Sequence, residues 1–532
     1  MWALRGRILP MSDQPSVAPT ESAVFTGRIW IADDGTIAAV TKGAKAGPPG
    51  SAGAPVIDVG TSLVVPGLVD LHNHLAYNTL PLWVEPTQHT PFLHHNSWTK
   101  ADTYSSQTTW PAYALITACP HELLAYVEAK AIVGGTTSIQ GSPPANKPRD
   151  GWLVRNIDDE TFGTGNPNLV YASVLTMKAA ALGDRANKMR ETSSHAAFIY
   201  HCSEGQRGSI VAREFTDAKQ AGCLQPRFVA VHTNAVDPAW YADWSSSAGA
   251  IAWSPFSNLW LYGQTTDVPA ARAAGISVCL GSDWAPSGTK SIQGELKSAR
   301  VTADALGWTL TDEDLVRMVT CLPGDVLAQA WERQVGRLQP GAQADLLVID
   351  AKKNASPFPT VVQSTEDDVE LVVIDGIPRY GTPQLSASAL TAAANVTSTA
   401  VGPSLPGMTS IRVGSRSMRL LLTQPSHPLQ TWEWSEVVDR LDEVRQNPRR
   451  EVEAAQAMYA RWAGRLDDAD APLRLALDMP TGLAPIGGLP KNLDDLEVPP
   501  LQSLTHDSEW LGSVSGRGFH GGVLDRIAEY YG

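Results

Sequence analysis

The sequence predicts an α/β protein, a (β/α)8 barrel flanked by a β-structure to which both chain ends contribute. Three observations predict it. Short apolar runs rich in β-branched residues recur between residues 63 and 281, and helical stretches separate several of them. Strand patterns without such helices occupy residues 1–63 and return at residues 336–385. The remaining tail follows neither pattern and is expected to be a mostly helical or irregular extension.

The apolar runs have the pattern of parallel strands, because each is short and apolar on both faces. The eight candidates are Leu63–Leu71, Thr136–Gln140, Trp152–Ile157, Leu169–Leu175, Ala196–Cys202, Phe228–His232, Ala250–Trp253 and Ile276–Leu280. The predicted helices among them are Pro120–Val133, Ser209–Ala221 and Pro269–Ala274. Strands that alternate with helices indicate βα units, and eight such strands would close a barrel.

Composition and strand pattern together divide the chain into five predicted segments. Residues 1–63 and 336–385 form two parts of one β-structure, and residues 64–335 form the barrel. Residues 386–407 are rich in Ser, Ala, Thr, Pro and Gly, which is typical of a linker. Residues 408–532 are a C-terminal extension, in which Glu433–Trp462 is a long amphipathic helical region.

Charge and cysteine usage exclude several classes of partner. The 532 residues carry a net charge of -14 without a run of Lys or Arg, which argues against nucleic acids and anionic membranes. No apolar run reaches the roughly 18–20 residues that span a bilayer, and the N-terminus has no export signal. The five cysteines are scattered, odd in number and without a C-x-x-C pair, as expected of reduced thiols. We therefore expect a cytoplasmic protein that acts on a small molecule, and the sequence leaves a homo-oligomer open.

Polar motifs end five of the predicted strands. They are His72-Asn73-His74, His201-Cys202-Ser203-Glu204, His232, Ser254–Asn258 and Gly281-Ser282-Asp283. In a parallel barrel, all strand C-termini lie at the face that builds the active site. Residues that are far apart in the sequence are therefore expected to share one pocket.

The residue types in this pocket predict a catalytic metal site. His72 and His74 are two apart on an extended strand end, so their side chains point the same way. With His201 and Asp283 they give three nitrogens and one oxygen, a set that suits Zn²⁺ and, less selectively, Fe²⁺ or Mn²⁺. A position left for water would make the site catalytic, because the metal lowers the pKa of that water towards about 7.

Three of these side chains have predicted catalytic roles. Asp283 would orient the attacking water and take its proton, Glu204 would protonate a substrate nitrogen, and His232 would stabilise the developing charge. Each has a structural alternative when taken alone. Asp283 could cap a helix, Glu204 could be a solvated first-turn carboxylate, and His232 could be a core histidine. The five strand ends taken together favour the catalytic interpretation.

The chain resembles the amidohydrolase superfamily, in particular its cytosine and guanine deaminases, imidazolonepropionases and triazine hydrolases. The resemblance runs from residue 1 to about residue 385. Besides the strand-end motifs, it rests on Val65–His74, Gly134-Gly135-Thr136-Thr137 and Gly336…Asp345. It implies a barrel flanked by a β-sandwich built from both chain ends. It also implies metal ligands at His72, His74, His201 and Asp283, a histidine beside the metal at His232, and a proton shuttle at Glu204.

The resemblance also bears on the number of metals and on the substrate. Binuclear members add a bridging lysine from a middle strand. Here the matching strand ends at Ile139-Gln140-Gly141, the strand Leu169–Leu175 also lacks an interior lysine, and Lys178 lies just past it. One divalent metal, zinc before iron, is therefore expected. The long segment Leu75–Trp110 corresponds to a loop that covers the substrate in this family. We interpret it chiefly as an aromatic lid packed on its own barrel. The residues expected to face the substrate are Tyr77, Trp83, His95, Gln140, Trp260 and Trp284.

The predicted activity is hydrolysis of a C–N bond in a small cyclic or heteroaromatic molecule, either deamination or opening of a cyclic amide or amidine. Glu204 favours it, because family members that remove a halide often lack this glutamate. Hydrolysis of a linear amide or dipeptide is an alternative, which commonly uses the lysine-bridged site that is missing here. A non-catalytic scaffold is a further alternative, although such relatives usually lose metal ligands.

Overall fold

The computed structural model describes most of the chain, and the following concerns these residues. They are residues 1–146, 153–158, 169–171, 174–191, 197–244, 249–331, 333–351, 356–397, 408–422, 433–466, 468, 470–478, 496–506 and 508–531. Seventeen strands lie in this part of the chain. In chain order they are β1 (Trp2–Ile8), β2 (Phe25–Ile31), β3 (Ile37–Lys42), β4 (Val56–Pro66), β5 (Leu68–Asp70), β6 (Thr136–Ile139), β7 (Arg155–Asn156), β8 (Leu169–Tyr171), β9 (Phe198–Cys202), β10 (Phe228–His232), β11 (Ala250–Trp253), β12 (Ser277–Leu280), β13 (Leu346–Ile349), β14 (Val369–Ile374), β15 (Ile377–Gly381), β16 (Thr409–Val413) and β17 (Arg416–Leu420).

Both chain ends contribute to one nine-stranded sheet. Its order is β16-β17-β15-β14-β13-β4-β1-β2-β3. The N-terminal and later strands meet where β4 and β13 pair antiparallel, with Val64 opposite Val348. Buried Ile and Leu side chains such as Ile29 and Leu371 share one apolar cluster on this sheet. The predicted joining of residues 1–63 and 336–385 therefore takes the form of a single large sheet.

The boundaries predicted beyond residue 385 differ from the structure. A helix covers residues 383–397, so the first part of the predicted linker is helical, and residues 398–407 lie outside the described residues. Ala389, Ala392 and Ala393 have the spacing of one helix face and are buried against the sheet, and alanine is the best helix former. Next, β16 and β17 form a hairpin around Gly414-Ser415 that continues the sheet beside β15. Residues 409–420 thus extend the sheet, because a two-residue Gly-Ser turn joins two alternating strands.

The other eight strands are parallel and lie in chain order. They form a three-stranded sheet, β5-β6-β7, and a five-stranded sheet, β8-β9-β10-β11-β12. The first and last of them are connected, because Asn73 and Asp283 form a parallel bridge just beyond β5 and β12. The backbone N–H of Val69 also donates to Val319 O at 2.8 Å, and that of Leu280 donates to Met318 O at 2.9 Å. The ends of β5 and β12 that carry the predicted metal ligands therefore lie side by side.

Helices flank these strands and also make up much of the extension. They are α1 (His95–Trp98), α2 (Trp110–Ala118), α3 (Pro120–Val133), α4 (Ala179–Arg190), α5 (Arg213–Gln220), α6 (Pro255–Tyr262), α7 (Val268–Ala273), α8 (Ile292–Ala305), α9 (Asp312–Arg317), α10 (Cys321–Trp331), α11 (Pro357–Gln363), α12 (Pro383–Thr397), α13 (Trp434–Gln446), α14 (Pro448–Arg461) and α15 (Ser508–Val514). The predicted bounds of α3 are confirmed. The region predicted as one long helix is two helices, because Pro448 disfavours the helical conformation at the residue before it. Asn447 accordingly has φ -135° and ψ 52°.

The extension packs against helices α2 and α3. The ring of Trp434 in α13 stacks on Tyr126 of α3, with ring centroids 5.7 Å apart. The hydroxyl of Tyr459 in α14 donates to a backbone carbonyl, with Thr117 O at 3.2 Å and Leu473 O at 2.9 Å.

All five cysteines are buried and free of disulfides. Among the described residues, every helix is too short or too polar to cross a bilayer.

Candidate metal centre

The ends of three parallel strands bring the four predicted metal residues together. His72 and His74 follow β5, His201 lies in β9, and Asp283 follows β12. Their facing atoms are Nε2 of each histidine and Oδ1 of the aspartate. His74 Nε2 lies 3.3 Å from His201 Nε2, and Asp283 Oδ1 lies 3.4 Å from His72 Nε2 and 3.7 Å from His74 Nε2. All four residues are buried, and none of the four is more than 6% exposed.

These distances fit a single bound metal. Two ligand atoms on one tetrahedral zinc ion, each about 2.0–2.2 Å from it, are about 3.3–3.5 Å apart. His72 Nε2 is buried and has no hydrogen-bond partner among the described residues, and a buried polar atom of this kind is costly unless something binds it. His72, His74 and His201 form one group of potential ligands, and His72, His232 and Asp283 form another. The site is therefore rich in histidine and able to hold a metal.

His232 belongs to the second group, yet its hydrogen bonds indicate a different role. Trp253 Nε1 donates to the Thr265 hydroxyl at 2.7 Å, and that hydroxyl donates to Asn258 Oδ1 at 3.3 Å. The Asn258 amide nitrogen therefore faces His232 Nδ1, at 3.1 Å, and donates to it. Burial lowers the pKa of His232, so the ring is neutral and its proton is on Nε2. That Nε2 lies 3.9 Å from both Glu204 Oε2 and Asp283 Oδ2, which is beyond hydrogen-bond distance, and so it is close to both carboxylates without being bonded to either.

Two of the three histidines predicted to bind the metal form a hydrogen bond through their other ring nitrogen. His72 Nδ1 donates to Gln140 Oε1 at 3.1 Å, and Gln140 Nε2 donates to Asp158 Oδ1 at 3.0 Å. Gln140, which was expected to face the substrate, thus contacts the ring of His72, a predicted metal ligand. His74 Nδ1 donates to Asp478 Oδ2 at 2.8 Å. Sequence reasoning missed Asp478, although the preceding Leu473, Leu475 and Leu477 alternate as in a buried strand.

Unusual backbone geometry occurs where these strands end. Four residues other than glycine have a positive φ here, namely Ser203 (58°), His232 (66°), Thr233 (56°) and Asp283 (60°). Such conformations are unfavourable for residues with a side chain, and they concentrate at functional sites. Gly281 permits the close approach of β12 to β5, because a Cβ there would lie 2.5 Å from His72 Cβ. The backbone is thus shaped to turn the side chains inward.

The charges in the site favour metal binding. Burial alone would raise the pKa of Asp283, but the histidines around it, His72 first, lower it well below its usual range. Burial and the neighbouring histidines lower the pKa of His201. An ionised carboxylate and a neutral imidazole are the forms that bind metals.

Glu204 lies beside this centre and has a fixed orientation. The Trp98 indole N–H donates to the Tyr262 hydroxyl at 2.6 Å, and that hydroxyl donates to Glu204 Oε1 at 2.6 Å. The other oxygen, Oε2, has no hydrogen-bond partner among the described residues and lies towards His232. Burial would raise the pKa of Glu204, but His232 and His95 lower it. One carboxylate oxygen is therefore anchored and the other is available to exchange a proton.

His95, from the lid segment, lies between two buried carboxylates. Its Nδ1 is 3.5 Å from Glu204 Oε2, and its Nε2 is 3.3 Å from Glu214 Oε1. Burial alone would lower the pKa of His95, but the two carboxylates raise it to about 9. His95 is thus a cation at neutral pH that joins the lid to the proposed proton shuttle.

This arrangement predicts a loss of stability at alkaline pH. The pKa of His95 is higher in the folded state than the about 6.5 of an unfolded chain, so its contribution is complete below about pH 6.5 and is lost as the pH rises through about 9. The unfolding free energy of the wild type should fall by up to about 3 kcal/mol over that range, relative to His95→Gln. Denaturant melts at several pH values measure the difference. His89→Gln, in an exposed part of the same lid, should follow the wild type, and parallel curves for His95→Gln would contradict this role.

The aromatic residues predicted to face the substrate fall into two places. Tyr77 and Trp284 are fully buried next to the metal residues, with ring centroids 5.4 Å apart. Trp83 and Trp260 instead line a separate cavity of about 340 Å³ that includes none of the predicted metal or catalytic residues. The C-terminal segment covers Trp260, because the ring of His520 stacks on it at 6.0 Å.

The chain was compared with known proteins. The amidohydrolase family model matches residues 192–377, which contain His201, Glu204, His232 and Asp283. The 5-methylthioadenosine/S-adenosylhomocysteine deaminase of Symbiobacterium thermophilum is 25% identical over 417 residues, covering 70% of this chain and 91% of that protein.

Solved structures share the fold. The adenosine deaminase of Xanthomonas campestris with bound zinc has a TM-score of 0.53 at 17% identity, covering 75% of this chain and 98% of that one. The guanine deaminase of E. coli has a TM-score of 0.53 at 15% identity, covering 71% and 98%. The zinc complex of atrazine chlorohydrolase from Arthrobacter aurescens has a TM-score of 0.53 at 16% identity, covering 74% and 100%. The predicted resemblance of this chain to the amidohydrolase superfamily is confirmed.

Proposed function

We propose that this chain is a metal-dependent hydrolase that cleaves a C–N bond in a small cyclic or heteroaromatic molecule, with deamination as its reaction. The observation that carries the proposal is the convergence of three histidines and one aspartate on one point beside a buried glutamate. The distances of 3.3–3.7 Å between the facing atoms of these side chains support one metal ion. The deaminase relative, matched over 91% of its length, favours deamination over ring opening.

The same proposal includes a closed barrel. The eight parallel strands in chain order, and the bridge between Asn73 and Asp283, support a (β/α)8 barrel over residues 64–335. Residues 1–63 and 336–385 would form the flanking β-structure. The hairpin at residues 409–420 pairs with β15, so we assign it to the flanking β-structure. The C-terminal extension would then begin after residue 420.

We propose one divalent ion, zinc before iron, held by His72, His74, His201 and Asp283. Such an ion lowers the pKa of a bound water from about 16 to about 7 and so supplies a nucleophile at neutral pH. Lys178 is exposed at the start of α4, so it does not add a bridge for a second ion in this conformation. The Oδ2 atom of Asp283, which lies 3.9 Å from His232 Nε2, would accept the proton of the attacking water.

Glu204 and His232 would complete the proton transfers. Glu204 Oε2 can protonate a ring nitrogen and then the leaving amine, because its other oxygen is held by Tyr262. The Nε2–H of His232 would donate to the oxygen that adds to the ring carbon. Tyr77 and Trp284 offer buried aromatic faces next to this point, which suits a planar substrate. His95 would hold Glu204 in place rather than contact the substrate.

Two measurements on the same preparation test the proposal. Metal analysis should find about one zinc or iron per chain after reconstitution, where two would favour a dipeptidase-like site and none would favour a scaffold. Ammonia release should then be assayed with 5′-methylthioadenosine, S-adenosylhomocysteine, adenosine, guanine and cytosine. Opening of cyclic amides should be followed separately by loss of the ring, because it frees no ammonia. A metal-loaded protein that releases ammonia from none of these rings, but hydrolyses acyl amides or releases halide, would overturn the proposed reaction.

A further inference from the structure

We infer that the C-terminal extension completes the metal site, with Asp478 as a positioning residue that orients the ligand His74. The inference rests on the metal site of the proposed function and adds a residue that no motif indicated. Asp478 Oδ2 lies 2.8 Å from His74 Nδ1, on the ring nitrogen that does not face the other ligands. Its side chain is 1% exposed, so the contact is shielded from water.

The chain delivers Asp478 to this position along a defined path. Residues 474–476 run beside residues 144–146, shortly after the end of β6 at Ile139. Leu475 and Ala145 form an antiparallel bridge, and the backbone N–H of Ala476 donates to Pro144 O at 2.9 Å. The backbone N–H of Arg474 donates to Asn146 Oδ1 at 2.8 Å. The extension is therefore bound to residues 144–146 through positions two to four residues before the carboxylate.

Alternating burial fixes which way the aspartate points. Leu473, Leu475 and Leu477 are 3%, 6% and 8% exposed, while the residues between them are more accessible. The leucines therefore anchor an extended segment whose last described residue is Asp478. A solvent-exposed tail would have neither this backbone bridge nor three buried leucines. The segment is therefore docked on the rest of the protein.

The chemistry of the pair explains what docking does. A carboxylate that accepts the Nδ1 proton fixes the tautomer with Nε2 free for a metal, holds the ring and raises its basicity. Only one of the three ligand histidines has such an anionic partner among the described residues. His72 Nδ1 donates to the neutral Gln140, and His201 Nδ1 has no hydrogen-bond partner among these residues. Asp478 should therefore strengthen metal binding, and by reciprocity a bound metal should strengthen docking of residues 471–478.

Zinc binding to the full-length chain tests this role without reference to any substrate. Asp478→Ala should raise the zinc dissociation constant, measured by competition with a chelator, by about 10–100-fold. Asp478→Asn keeps a hydrogen-bond acceptor but loses the charge, so its dissociation constant should lie between those of wild type and Asp478→Ala. Asp470→Asn, an exposed aspartate of the same extension, should match the wild type.

Hydrogen exchange gives a second readout that a merely structural role would not produce. Zinc should slow amide exchange in residues 471–478 of the wild type and of Asp470→Asn, and should have less effect in Asp478→Asn. Wild-type zinc affinity in both Asp478 variants would overturn the inference and leave the proposed function standing. If Asp478→Ala does not fold, Asp478→Asn decides. A wild-type chain that binds no zinc would overturn both.

Discussion

Asp283→Asn is expected to lower turnover of the true substrate by about 10³-fold or more. It should also weaken zinc binding by more than the about 10–100-fold that follows loss of a hydrogen-bond partner of a metal ligand. The substitution keeps the size of the side chain but removes its charge. Asp283 Oδ1 faces His72 and His74, and Oδ2 faces His232, so one side chain serves both the metal and the proton transfer. The asparagine amide is a weaker metal ligand than a carboxylate, and it cannot accept the proton.

The measurement pairs zinc content with ammonia release on the same preparation. His72→Ala provides a second removal of a ligand and should lose the metal in the same way. Asp304→Asn, at an exposed position in α8, serves as the matched control and should keep both metal and turnover. Retention of metal and activity in both Asp283→Asn and His72→Ala would remove the ligand assignment.

Much of this site could be predicted from the sequence because of one physical rule. Parallel strands place their C-termini on one face, so the motifs that end at His74, His201, His232 and Asp283 had to converge if the strands were parallel. Strands buried on both faces also have an unambiguous apolar pattern, which is why β9 and β10 match their predictions closely. The prediction thus depended on local patterns whose spatial meaning is fixed by the architecture.

The parts that could not be predicted depend on contacts between distant segments. Nothing around Asp478 marks it as a partner of His74, which is 404 positions earlier, because a hydrogen bond leaves no pattern in a single sequence. Gln140 was expected to face the substrate, because an amide at a strand end can contact either a bound molecule or a neighbouring side chain. In the structure its Oε1 accepts from His72 Nδ1. Composition also misled at residues 386–397, where a small-residue segment proved to be a helix packed on the sheet.

Glu204→Gln should separate catalysis from metal binding. We expect a loss of at least about 10²-fold in kcat, the usual scale for a general acid or base, with zinc content unchanged. The Tyr262 hydroxyl receives the Trp98 indole N–H and so must direct its own proton to Glu204 Oε1. The glutamine amide can keep that contact through its oxygen and places its NH2 group where Oε2 was. Shape and anchoring are then preserved, and the ability to give and take a proton is lost.

The pH profile identifies what was lost. In the wild type, the plot of kcat/KM against pH should have a limb that reports the titration of Glu204. In Glu204→Gln this limb should disappear, and the residual kcat/KM should not change with pH there. Glu453→Gln, on the exposed face of α14, should leave both rate and profile unchanged, because an exposed ion pair contributes little. Tyr262→Phe, which removes only the anchor of Oε1, should lower kcat less than Glu204→Gln and keep the limb at a shifted pH. Unchanged turnover in Glu204→Gln would show that another group carries the proton, and His95, 3.5 Å from Glu204 Oε2, would then be the next candidate.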